Sequence, residues 1–170
     1  MDCSSLVPLL LVLLLIGVPS QSSFAKETSV DLVNKICPQT YDSDLCLKIF
    51  RSDPRLATAD ARGLGQIIVE ACLASAKQVV NNLGSLINST MTSPRKDVFE
   101  TCLKNYNAVL SSLETAKNLL LSPKKYIFAV NFTDIATANI LSCDTTFFVS
   151  PEPDIPAKLD KVILKTEGIA

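Results

Sequence analysis

Residues 93–121 read "SPRKDVFETCLKNYNAVLSSLETAKNLLL", and their spacing decides the fold class. Ser93-Pro94 has the form of a helix N-cap followed by proline at the first helical position. Phe99, Cys102, Leu103, Tyr106, Val109, Leu110, Leu113, Ala116 and Leu120 then recur three and four residues apart, which puts one apolar stripe on a long helix. Upstream, Leu64, Ile67, Ile68, Ala71, Cys72, Val79, Leu83, Leu86 and Ile87 predict a second long helix from about Asp60 to about Ser89. Downstream, Ser122-Pro123 repeats the opening form and predicts a third, reaching about Phe148. Its early part, "YIFAVNF" (126–132), is aromatic and β-branched enough to suit a strand. After "SPEPDIP" (150–156), Pro156 opens a last helix bearing Leu159, Val162, Ile163 and Ile169. Short connections between such helices predict an all-α, up-and-down four-helix bundle over residues 59–170.

Ahead of the bundle, residues 26–58 predict a hairpin of two short helices. Thr28 and Ser29 can cap the first, which carries Val30, Leu32, Val33 and Ile36. Asp42 or Ser43 can cap the second, with Leu45, Leu47, Ile49 and Phe50, before Asp53-Pro54 breaks the pattern. So small a unit buries little by itself, and a covalent staple is expected. "ICPQTYDSDLC" (36–46) supplies two cysteines around a turn.

Residues 1–25 predict a cleaved secretory signal. Leu6 to Val18 is an apolar run of about 13 residues, short of the roughly 20 that a membrane-spanning helix needs. Ser23 and Ala25 are small residues placed for cleavage before Lys26. The remainder holds 16 basic and 16 acidic residues without a basic cluster, which argues against a nucleic-acid partner. No later apolar run is long enough for a membrane span. Five cysteines remain, Cys37, Cys46, Cys72, Cys102 and Cys143; two bridges among them allow fifteen connectivities, and spacing favours only the local pair Cys37–Cys46. Asn88-Ser89-Thr90 and Asn131-Phe132-Thr133 are acceptor triplets for N-linked glycans.

The chain contains no histidine, which removes the Ser-His-Asp and Cys-His arrangements, histidine metal sites and the commonest general base. "GLG" (63–65) lacks the rest of a phosphate loop, and no Cys-x-x-Cys occurs, so no cofactor or metal is expected. Asp42 with Asp44, or Asp134 with Asp144, read as caps and solvated helix faces rather than as an acid/base pair. Cys72 lies in an apolar stripe and reads as an unpaired core thiol. A secreted bundle without catalytic groups points to recognition rather than reaction.

"ICPQTYDSDLCLKIFRSDPRLATAD", followed by "LGQIIVEACLASAKQVV", resembles the start of the plant invertase and pectin methylesterase inhibitor family. "ETCLKNYNAVLSSLETAKNLL" is similar to that family's third-cysteine segment, and Cys143 after "TDIATANILS" to its fourth. The resemblance covers Asp31 to about Phe148. It implies a four-helix bundle with an N-terminal hairpin, bridged Cys37–Cys46 and Cys102–Cys143, that blocks the active-site cleft of a target enzyme one-to-one. It also implies residence in the cell wall space (apoplast) or the vacuole. In the invertase branch a Pro-Lys-Phe motif enters the sucrose cleft. Pro123, Lys124, Lys125 and Tyr126 lie at the corresponding place, with an extra lysine and with tyrosine for phenylalanine. Cys72 departs from the family pattern and is expected to be the free thiol. The last helix, ending at Ala170, is expected to be curtailed, which would open a groove in the bundle.

The target enzyme is the expected partner, and "SDPRLATAD" with the Pro-Lys-Lys-Tyr stretch leans towards acid invertase. Pectin methylesterase is the alternative, and a non-inhibitory helical binding module a further one.

Overall fold

A computed structural model describes residues 28–40, 42–89, 93–122 and 124–149, without the side chains of 93–95 and 147–149. The expected signal segment and the helix expected from Pro156 lie outside the described residues. Among the described residues five helices follow in order: α1 (Ser29–Ile36), α2 (Ser43–Ser52), α3 (Ala61–Asn88), α4 (Ser93–Leu120) and α5 (Ala129–Val149). Short 3-10 turns occupy Cys37–Gln39, Pro54–Ala57 and Tyr126–Phe128.

Side-chain caps start the first three helices, where backbone N–H groups lack helical acceptors. Thr28 and Asp31 form a reciprocal capping box on α1, with the Asp31 N–H donating to Thr28 Oγ1 at 3.2 Å and the Thr28 N–H donating to Asp31 Oδ2 at 3.1 Å. Asp42 accepts from the Leu45 N–H at 2.8 Å on α2, and Asp60 accepts from the Gly63 N–H at 2.7 Å on α3.

The three long helices run up, down and up. Gln66 Nε2, near the start of α3, donates to the Leu120 carbonyl at the end of α4. Early α4 is bonded to late α5 through Cys102–Cys143, with Asn105 Nδ2 donating to Ser142 Oγ beside it at 3.2 Å. Leu64, Ile68, Val69, Val109, Leu113 and Leu120 are almost wholly buried between the helices. Each such side chain contributes on the order of 1.5–3 kcal/mol of transfer free energy.

The hairpin is not an appendage outside this core. Leu32, Val33, Ile36, Ile49 and Phe50 belong to the same buried cluster as α3, and Phe50 is 1% exposed. The Ser29 hydroxyl donates to the Leu56 carbonyl, which ties α1 to the Pro54–Ala57 turn. Arg55 then joins that turn to the bundle. Its Nη2 meets Asp53 Oδ2 at 2.6 Å and Glu70 Oε2 on α3 at 2.7 Å, and Lys117 on α4 reaches Glu70 Oε1 at 3.2 Å. Hydrogen bonds from Arg55 hold the Asp53 carboxyl below its usual range. At Glu70 partial burial pushes the carboxyl up, but the bonds from Arg55 and Lys117 outweigh it and the net shift is downward.

One boundary differs from expectation. The third long helix begins at Ala129, not at Ser122-Pro123. The Lys125 N–H bonds back to the Ser122 carbonyl and the Phe128 N–H to the Lys125 carbonyl, each three residues away, so the chain coils tightly before α-helical bonding takes over. Tyr126, Ile127 and Phe128 are weaker helix formers than the alanine that opens α5. The strand-like run "YIFAVNF" forms this 3-10 turn and the first turn of α5.

Candidate functional site

The α4–α5 connection carries the feature that sets one end of the bundle apart. Leu121 ends the apolar stripe of α4 but passes beyond its last packed turn, and it is 62% exposed. Lys124 and Lys125 follow on a turn, both exposed, and neither belongs to an ion pair among the described residues. Tyr126 is half-buried and packs against the core. Ile127 and Phe128 turn outward and are 45% and 54% exposed. The result is an aliphatic and aromatic spot beside two lysines, a composition suited to a protein contact.

Of the site residues expected from the sequence, Lys124, Lys125 and Tyr126 share this turn, while Pro123 lies outside the described residues. Leu121, Ile127 and Phe128 were not among the expected contacts. Their signal is the apolar run beside the lysines, read from the sequence as the strand-like start of the third long helix.

The cysteines are bonded Cys37–Cys46 and Cys102–Cys143. Cys72 is 2% exposed and disulfide-bonded in the full chain, whereas the free thiol expected there counts only the five cysteines that follow the signal segment. Asn88 and Asn131 are both exposed, but at opposite ends. Asn88 closes α3 at the end away from the 121–128 turn, and Asn131 stands in the first turn of α5, next to it.

Catalytic geometry does not assemble from the carboxylates considered above. The Asp42 carboxylate is engaged as a cap. Asp134 and Asp144 stand ten residues apart on α5, about 15 Å along a helix axis. Glycosidase carboxylate pairs stand about 5–9.5 Å apart. Among the described residues no cluster of three His, Cys, Asp or Glu could hold a metal ion, and no helix is long and apolar enough to cross a membrane.

Comparison with known proteins bears on this arrangement. Residues 31–162 match the family model described as plant invertase/pectin methylesterase inhibitor. A pectinesterase inhibitor from Actinidia deliciosa is 36% identical, over 98% of this chain and 89% of its own. The cell wall / vacuolar inhibitor of fructosidase 2 from Arabidopsis thaliana is 31% identical, over 65% of this chain and 61% of its own. The crystal structure of a pectin methylesterase inhibitor from Arabidopsis thaliana superposes with a TM-score of 0.55, over 81% of this chain and 87% of that one, at 18% identity, and so shares the fold. Members of the matched family are inhibitor proteins, not catalytic enzymes. The chain belongs to the plant invertase/pectin methylesterase inhibitor family.

Proposed function

We propose that this protein is a secreted inhibitor of a pectin methylesterase, acting in the cell wall and closing the enzyme's active-site cleft as a one-to-one complex. The observation that carries the choice of target is the reach of the similarity. It extends over nearly the whole chain for the Actinidia pectinesterase inhibitor, and over about two thirds or less for the Arabidopsis fructosidase and pectinesterase inhibitors alike. The residue-level leaning towards acid invertase rested on "SDPRLATAD" and on the Pro-Lys-Lys-Tyr stretch, and the second can be compared with the structure. There the ring next to the lysines is packed against the core, which weakens the parallel with a cleft-entering aromatic.

In this reading the 121–128 turn contacts the target. Phe128, with Leu121 and Ile127, supplies burial, and Lys124 and Lys125 supply charge without first breaking an internal ion pair. Inhibition then depends on shape and desolvation, and no covalent step is required.

Acid invertase is the second reading, favoured by the same two lysines. A glycoside hydrolase cleft presents a pair of carboxylates that unpaired ammonium groups can meet.

Titration of the purified protein against a pectin methylesterase and an acid invertase tests both. Stoichiometric loss of pectin methylesterase activity, with invertase untouched, is expected. Loss of invertase activity alone transfers the assignment. A folded monomer that affects neither enzyme overturns inhibition and leaves a helical binding module.

A further inference from the structure

The acceptor triplet Asn131-Phe132-Thr133 sits in an unusual setting. Asn131 is exposed on the first turn of α5. Three residues before it is Phe128 and four after it is Ile135, 54% and 47% exposed. Positions three and four apart are neighbours on a helix surface, and Ala129 continues the helical backbone between Phe128 and Asn131. Asn131 therefore stands between two large side chains that face water. The other triplet differs. Asn88 ends α3 about 40 Å away, the length of a 28-residue helix, and none of the exposed large hydrophobics among the described residues lies on α3.

We propose that Asn131 is N-glycosylated, and that its glycan covers the Phe128–Ile135 stripe and restricts access of the target enzyme to the 121–128 turn. This rests on the reading of the chain as a secreted inhibitor that uses that turn. A glycan is bulky and strongly hydrated, so one attached between two apolar side chains hides both from a macromolecule while keeping the surface soluble.

The donor is a polyprenyl-diphosphate-linked oligosaccharide. Asn131 Nδ2 forms a bond to the anomeric carbon, the bond from that carbon to the diphosphate oxygen breaks, polyprenyl diphosphate leaves, and the amide gives up one proton to a base of the transferase. In the folded protein Thr133 is 2% exposed and its hydroxyl donates to the Val130 carbonyl at 2.7 Å. The triplet is thus withdrawn once α5 has formed, and transfer precedes folding of that helix.

The test uses the protein secreted from plant cells, compared with the Asn131→Gln and Asn88→Gln variants and with wild type stripped of glycan by a peptide N-glycosidase after folding. Peptide mass spectrometry is expected to find the Asn131 peptide glycosylated; an unmodified Asn131 overturns the proposal. Stripping the folded protein is expected to raise the fluorescence of an apolar dye several-fold, and to lower the concentration for half-inhibition about tenfold, as expected from freeing one aromatic anchor. Asn131→Gln should reproduce both changes and Asn88→Gln neither. A glycosylated Asn131 whose removal changes neither dye binding nor inhibition overturns the shielding. If no form inhibits either enzyme, the inhibitor reading fails, and the dye comparison still decides whether the sugar covers the stripe.

Discussion

The N-terminal hairpin and the 121–128 turn are both short, turn-rich and joined to the same end of the bundle, yet they treat their apolar residues in opposite ways. The hairpin buries Leu32, Ile36 and Phe50, and adds a disulfide, a hydroxyl–carbonyl bond and the Asp53–Arg55–Glu70–Lys117 chain of ion pairs. The turn leaves Leu121, Ile127 and Phe128 in water and its two lysines without carboxylate partners among the described residues. One region spends its side chains on holding a shape. The other is held by the helices on either side, and its large side chains face water.

Phe50→Ala against Phe128→Ala breaks this comparison most directly. The first should cost about 3–5 kcal/mol in denaturant unfolding, as a large-to-small change in a packed core. The second should leave stability within about 0.5 kcal/mol. Equal losses would mean that the turn is structural after all. Next in size, replacing Cys37 and Cys46 together by serine should cost about 2.7 kcal/mol on the loop-entropy model while most helical circular dichroism survives. Wholesale loss of helix would show that the bundle depends on the hairpin.

In binding, measured on protein stripped of glycan, Phe128→Ala should weaken inhibition by about 2 kcal/mol, roughly thirtyfold, the scale of an aromatic anchor. An unchanged titration would remove the turn from the interface. The smallest effect is acid sensitivity. Asp53 and Glu70 have folded-state pKa values below their ordinary ones, so their contribution is present at neutral pH and is lost as pH falls through and below about 4. The stability gap between wild type and Arg55→Ala, measured by urea unfolding from neutral pH to pH 3, should therefore narrow at the acid end. A gap that stays constant would mean that the ion pairs do not fasten the hairpin.

The long helices were legible because burial imposes a period. Leu64 to Ile87 and Phe99 to Leu120 each carry apolar residues at three- and four-residue spacing over several turns, and α3 and α4 begin and end within a residue or so of expectation. The start of α5 was not legible, because Ser122-Pro123 has the same chemistry as Ser93-Pro94, and only the turn's tighter hydrogen bonding separates them. Nor was the site: whether Ile127 and Phe128 are buried depends on which neighbours stand above them, and no local pattern records that. Cys72 shows a related limit. A cysteine in an apolar stripe looks alike whether it is free or bonded, and the number of possible partners depends on whether the signal segment is still attached.

The Cys102–Cys143 bond has a consequence for survival among proteases. Together with the backbone between its two cysteines it makes a covalent ring, and the exposed 121–128 turn, with Lys124 and Lys125, lies on that ring. A single nick at either lysine would open the ring without releasing a fragment, so the two pieces would still migrate as one molecule until the disulfide was reduced. A cut in this exposed turn thus does little to the covalent integrity of the protein.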